Sequence, residues 1–248
     1  MRAVILAAGR GSRLGALTKD RPKCLVEFAK KPLIERQVLA LRRGGATSIG
    51  VVRGYRATAI ALSDVAYFEN PRWDETNMVA SLASAATWLR AEPVIVSYSD
   101  IFYRHELVQD LAGAAGSLVI TYDREWRTLW TRRFADPLAD AETFRADASG
   151  KLVEIGGKTS DIEEIGGQYM GLLKFTPPAW HAVESLLASL EPSTRDNLDM
   201  TSLMRGLLRS GYPIATLSTA GQWGEIDSPD DLALYERMTR DGELLLEE

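Results

Sequence analysis

Positions 6 to 15 read LAAGRGSRLG and positions 20 to 23 read DRPK, so glycines and cations share one short stretch directly after an apolar run. Glycines let backbone N–H groups approach a polyanion closely, and nests of such N–H groups bind phosphates. Arg13 and Lys23 are of the type that neutralises the charge built up when a phosphoryl group is transferred. Two carboxylates would complete such a site if it uses a metal, because Mg2+ is held by carboxylates together with substrate phosphates. Asp100 ends the run VIVSYS, and Asp227 ends WGEID just before SPDD, with Glu225 a weaker third candidate. The competing account of Asp227 is an N-terminal helix cap, a common place for aspartate.

Other chemistries fit the same loop less well. Gly9, Gly11 and Gly15 also suit a dinucleotide fingerprint. That fingerprint calls for a helix opening near the second glycine and an acid after the next strand. Here the next strand ends VRGY, and Pro22 breaks any helix begun at Gly11. The GxxxxGK[ST] phosphate loop occurs nowhere in the chain. A glycine turn without a ligand leaves the cluster of cations unexplained.

The elements that must position these residues follow from periodicity. Short apolar runs at Ala3 to Ala7, Ile49 to Arg53, Val94 to Tyr98, Leu118 to Tyr122 and Ile214 to Ser218 read as buried strands. Amphipathic stretches at Pro32 to Arg43, Met78 to Arg90, His105 to Ala114, Pro178 to Leu190, Thr201 to Ser210 and Pro229 to Thr239 read as helices. Strand and helix in alternation predict an α/β fold, a doubly wound and mostly parallel sheet covered on both faces. Open sheets of this kind bind ligands at the carboxyl ends of their strands, where Asp100 falls. The alternation breaks after Tyr122. Strands at Thr143 to Arg145, Leu152 to Ile155 and Gln168 to Phe175 predict a small β-rich lid inserted over residues 124–175 of a single domain spanning 1–248.

The 248 residues are 46% hydrophobic and 25% charged, which excludes a disordered chain, and no run approaches a membrane-spanning length. One cysteine, Cys24, excludes an internal disulfide or a zinc site of several thiolates. With no signal segment before the first strand, a cytoplasmic location is expected. His105 and His181 have no ligand or triad pattern and read as helix-surface residues. A net charge of −5 argues against a nucleic-acid surface, and nothing in the sequence calls for a membrane partner or fixes the oligomeric state. The average hides a split: residues 1–43 carry eleven basic and three acidic side chains, a net +8, which leaves −13 for the remainder. Such asymmetry points to a local anion site.

The whole N-terminal stretch resembles the signature of nucleotidyltransferases that activate sugar phosphates and small phosphorylated alcohols, a first strand followed by LAAGxG[ST]RL and then PK. Gly15 and Ala16 stand where the sugar enzymes usually carry ArgPro. TNMVASL at 76 to 82, WTRRFADPLADAETF at 130 to 144 and GQYMGLLKF at 167 to 175 are similar to the bacterial phosphocholine, phosphonate and phosphoglutamine cytidylyltransferases. The resemblance implies a Rossmann-like nucleotidyltransferase fold and transfer of CMP from CTP to a small phosphate or phosphonate monoester. It also implies Mg2+ as cofactor, held by Asp100 and Asp227, with Lys23 and Arg13 beside them as catalytic cations. Leu6, Ala8, Gly9, Gly11, Ser12, Arg13, Lys23, Asn77, Ser81 and Ser99 would bind the nucleotide, with Asn77 and Ser81, one helical turn apart, facing the base.

A phosphate monoester has its second pKa at about 6, so the acceptor is a dianion near neutral pH and needs no general base. Cations must separate two polyanions, and Arg133 and Lys158 join Lys23 as candidates. Glu142, with Asp140 beside it, and the aromatic Trp130, Tyr122 and Tyr169 would suit an ammonium group on the acceptor. A sugar-1-phosphate nucleotidylyltransferase using another nucleotide and a non-catalytic nucleotide-binding regulator are the alternatives, with a dinucleotide reductase a distant third.

Overall fold

In the computed structural model, which describes residues 1–247, strand and helix alternate as the periodicity predicts. In chain order the strands are β1 (Arg2–Ala7), β2 (Glu27–Phe28), β3 (Lys31–Pro32), β4 (Ser48–Arg53), β5 (Ala66–Glu69), β6 (Val94–Tyr98), β7 (Ile101–Tyr103), β8 (Leu118–Asp123), β9 (Thr143–Ala146), β10 (Leu152–Gly157), β11 (Gln168–Phe175), β12 (Ala215–Thr219) and β13 (Trp223–Glu225). The helices are α1 (Leu33–Arg43), α2 (Met78–Ala83), α3 (Ala86–Ala91), α4 (His105–Gly113), α5 (Trp126–Arg133), α6 (Pro177–Ser189), α7 (Pro192–Asp196), α8 (Met200–Arg209) and α9 (Pro229–Arg240).

A seven-stranded sheet in the order β12-β8-β11-β6-β1-β4-β5 forms the centre, and every neighbouring pair is parallel except those made by β11. β1 shows why both faces are covered. Ala3, Ile5 and Ala7 pack into the layer formed with α1 and α4, while Val4 and Leu6 pack into the opposite layer with α2, α6 and α8. Side chains alternate across a strand, so a run apolar at every position must be buried twice.

Three expectations are corrected. The segment from Gln168 to Phe175 is no part of a lid: β11 lies in the main sheet between β6 and β8, antiparallel to both. The strands between Arg124 and Gly167 are the single antiparallel pair β9 and β10, tied to Ala215 by a bridge at Lys151. Trp126–Arg133, within the expected β-rich lid, is helical as α5 and packs on α9. The stretch from Met78 to Arg90 is two short helices, because Ser84 and Ala85 donate their amides to Ser81 and Leu82, three residues back, which tightens the turn and offsets the axis.

β11 also carries an irregularity that shapes the site. Its register against β8 shifts between Tyr169 and Leu173, and Gly171 sits in the shift at φ 79°. A Cβ there would lie 2.6 Å from the Tyr98 ring. Gly171→Ala is expected to destabilise the protein by about 2 to 4 kcal/mol, combining a left-handed backbone with overpacking, measured as a lowered urea midpoint at unchanged slope.

Candidate active site

The two aspartates, 127 positions apart in sequence, are brought together by a two-stranded ribbon at the carboxyl edge of the sheet. β7 and β13 run antiparallel, with Glu225 opposite Ile101, and the Ile226 amide donates to the Asp100 carbonyl at 2.9 Å. Each turn has its own brace. The buried Gln37 side chain, from α1, donates to the Tyr98 and Ile101 carbonyls, both at 2.6 Å, and so clamps the chain on either side of Asp100. Asp231 closes a capping box with Ser228 at the start of α9, and its Oδ2 accepts the Asp227 amide at 3.1 Å. The helix-cap account of Asp227 is thereby settled: Ser228 is the cap, and the Asp227 side chain is left for other partners.

Those partners are cations. Lys23 Nζ donates to Asp100 Oδ2 at 2.8 Å and also to Asp227 Oδ1, and Arg13 reaches Asp227 Oδ2 at 2.7 Å. Burial disfavours the charged forms here, but the facing charges win: Asp100, Asp227 and Glu225 raise the Lys23 ammonium above its ordinary pKa, and Lys23 with Arg13 holds the Asp227 carboxyl below its own. Glu225 is pushed well above the usual carboxylate range by burial and by the neighbouring Asp227 and Asp100 charges. Gly11 explains how Lys23 arrives. It is left-handed at φ 72°, and a Cβ on it would lie 2.6 Å from the Lys23 Cβ. The position must be glycine for the lysine to pass beneath the loop.

Asp100, Glu225 and Asp227 each offer an oxygen within 4.8 Å of the others, and Asp100 Oδ1 is buried with no hydrogen-bond partner among the described residues. An orphaned carboxylate oxygen beside two further carboxylates is a donor set that fits a hard divalent cation. His105, expected on a helix surface, is half-buried with its Nδ1 2.7 Å from Glu247, while His181 is exposed on α6 as expected. Cys24 is buried, and burial pushes its thiol pKa up to about 12, as suits a structural side chain.

Two cavities open from this cluster. The first, about 320 Å³, is lined by all ten residues expected to meet the nucleotide: Leu6, Ala8, Gly9, Gly11, Ser12, Arg13, Lys23, Asn77, Ser81 and Ser99. Asn77 is already engaged. Its Oδ1 accepts the Met78 amide as the α2 cap, and its Nδ2 donates to the Asn197 carbonyl at 3.2 Å. Ser81 accepts from Asn70 at 3.0 Å, which leaves its hydroxyl proton for the cavity. Trp73, Thr76 and Tyr98 also line it: Thr76 opens the TNMVASL stretch and Tyr98 ends a strand, whereas Trp73 carries no sequence signal and is brought there by the fold alone.

The second cavity, about 380 Å³, shares Arg13, Met78 and Tyr98 with the first and contains Trp130, Glu142, Tyr169, Asp140, Asp199, Glu225 and Asp227. Burial pushes the Glu142 carboxyl upward against the opposing pull of Lys158. Tyr169 Oη is buried beside Tyr98, whereas the Trp130 indole donates to Asp140 at 3.1 Å. Tyr122 stacks on Phe144 instead of lining the cavity. Two of the expected acceptor residues are elsewhere. Lys158 donates to the Asp140 and Ala141 carbonyls, bracing that turn, and the Arg133 side chain, 1% exposed, is bound to Asp231. Asp199, on the wall of this cavity, caps α8 by accepting the Ser202 amide; an Asp just ahead of the helical pattern at Thr201 to Ser210 is the sequence signal for that cap.

Gly11→Ala is expected to displace Lys23 by about an ångström and lower kcat of any phosphoryl transfer by about 100-fold, with the fold kept, as read by steady-state kinetics beside circular dichroism.

Comparison with known proteins agrees with this geometry. The chain is 37% identical to the CTP:phosphoglutamine cytidylyltransferase of Campylobacter jejuni over 94% of its own length and 98% of that protein. It is 30% identical to the 2-aminoethylphosphonate cytidylyltransferase of Lancefieldella rimae over 71% of this chain and 67% of that one. The solved inositol-1-phosphate CTP transferase from T. maritima superposes with a TM-score of 0.77 at 21% identity, covering 98% of this chain and 96% of that one, a likeness of fold. Residues 3–161 match the MobA-like NTP transferase domain, and the chain belongs to that nucleotidyltransferase family.

Proposed function

We propose that this protein transfers CMP from CTP to a small phosphate or phosphonate monoester that carries a cationic end, releasing pyrophosphate. The observation that carries the reading is the meeting of two cavities at one cluster: Arg13, Met78 and Tyr98 face both, with Lys23 and Asp100 on the first and Asp227 on the second. A nucleoside triphosphate along the glycine loop and an acceptor in the second cavity would then approach each other across Arg13 and Lys23.

An ionised acceptor oxygen attacks the α-phosphorus, a new P–O bond forms, and the bond to the bridging oxygen breaks with its electron pair leaving on pyrophosphate. No proton has to be removed, because the acceptor is already ionised. The chain's part is alignment and charge neutralisation by Lys23 and Arg13. Asp100 and Asp227 would hold Mg2+, which supplies further neutralisation of the phosphates when bound. At the far end, Asp140, Glu142 and Asp199 with the Trp130 and Tyr169 rings form an acidic, aromatic wall suited to an ammonium group. Lys158 and Arg133 line neither cavity, so Arg13 is the basic side chain among the residues that line the second one.

Pyrophosphate release with each nucleoside triphosphate against phosphoglutamine, phosphocholine and 2-aminoethylphosphonate is expected to show CTP preference and turnover with at least one of them. Turnover confined to UTP or dTTP with a sugar 1-phosphate would overturn the reading, and tight CTP binding without turnover on any acceptor would favour a regulator. Asp100→Asn and Asp227→Asn are each expected to cost 100-fold or more in kcat, roughly the loss of one strong electrostatic contact at the reacting phosphate. Wild-type rates in either variant would remove that residue from the metal site.

A further inference from the structure

Arg133 ends α5, three residues after Trp130, which stands on the wall of the second cavity. Its guanidinium is packed against the Trp130 and Phe134 rings, 5.0 and 4.9 Å from their centroids. Nε donates to Asp231 Oδ1 at 2.8 Å, and Nη2 lies 3.4 Å from Oδ2 of the same carboxylate. Nη1 is buried, has no hydrogen bond among the described residues, and stands 3.5 Å from Glu225 Oε2. On its other side the Asp231 carboxylate accepts the Asp227 and Ser228 amides and the Ser228 hydroxyl, at 3.1, 2.9 and 2.9 Å. One guanidinium is thus fastened to the backbone of Asp227 through a single carboxylate and faces Glu225 directly, while its flat face carries Trp130.

We infer that Arg133 is a positioning residue, which holds the Asp227 turn and Glu225 in register with the helix that walls the acceptor cavity. An arginine is required because its planar fork offers donors in two directions, one toward Asp231 and one toward Glu225; a lysine ammonium is a single point charge and can serve the first alone. A buried ion pair that served packing alone would cost stability when broken and nothing specific to the metal. Partners that orient metal-binding carboxylates behave otherwise, since their replacement weakens metal binding itself by about 10- to 100-fold.

The inference rests on the proposed nucleotide and metal site, and the test separates the two. Mn2+ binding is measured by electron paramagnetic resonance in the presence of a non-hydrolysable CTP analogue, and binding of that analogue without metal is measured by calorimetry, for wild type, Arg133→Met and Arg133→Lys. Arg133→Lys is expected to keep the wild-type melting temperature within a few degrees and metal-free analogue affinity within about twofold, while Mn2+ affinity falls about tenfold or more; Arg133→Met falls further. If Arg133→Met does not fold, Arg133→Lys decides alone. Unchanged Mn2+ affinity in folded variants overturns the inference, and so does an equal loss of metal and metal-free nucleotide binding, which marks a general packing role. A wild-type protein that binds neither Mn2+ nor the analogue overturns the functional reading instead.

Discussion

The Lys23 ammonium, held between the Asp100 and Asp227 carboxylates, is the contact on which the rest of the structure is organised. Removing any one of these charges from water costs several kcal/mol, and the two carboxylates repel each other at this separation, so the three are tolerable only together. That constraint reaches outward. It fixes Gly11 as a residue without a side chain, because the lysine passes where a Cβ would stand. It requires Gln37 and Asp231 to hold the two aspartate turns, since a carboxylate free to swing would leave the ammonium buried and unpaired.

The same cluster divides the molecule's charge. The cations of the first segment that meet the aspartates, Arg13 and Lys23, sit at the carboxyl edge of the sheet, where the glycine loop leaves β1. The acids of the later segments gather across from them, on the turn before β9, at the α8 cap and at the end of β13. A phosphate drawn to the middle is therefore met by positive charge on one side, while any cationic end attached to it is drawn to the other. A sequence net charge of −5 conveys nothing of this, because it sums opposed signs without placing them.

Arg133 and Lys158 show the limit of reading charge from sequence. Both were expected to meet an anion, and each instead finds its partners within the protein: an aspartate on α9 for one, two main-chain carbonyls for the other. Periodicity cannot distinguish a cation that faces a ligand from one that faces a distant acid, because the deciding partner, Asp231, lies 98 positions away. β11 lies in the main sheet instead of a lid for a related reason. Its apolar pattern identified a strand, yet which strands it pairs with depends on long-range contacts that no local pattern encodes.

What the sequence determined by itself is whatever rests on local chemistry: the glycine loop after the first strand, the cations at 13 and 23, and the strands that must be buried on both faces. Those features are short-range, set by glycine's backbone freedom, by side-chain period and by the ends of strands. Only the tertiary structure decided which charges are spent internally, that Asn77 is committed to a helix cap, that Trp73, Tyr98 and Asp199 join the cavities, and that Arg133 braces the Asp227 turn. The physical reason is common to all of these: a hydrogen bond or ion pair is made by groups close in space, and the chain brings them close only when the whole sheet has closed around them.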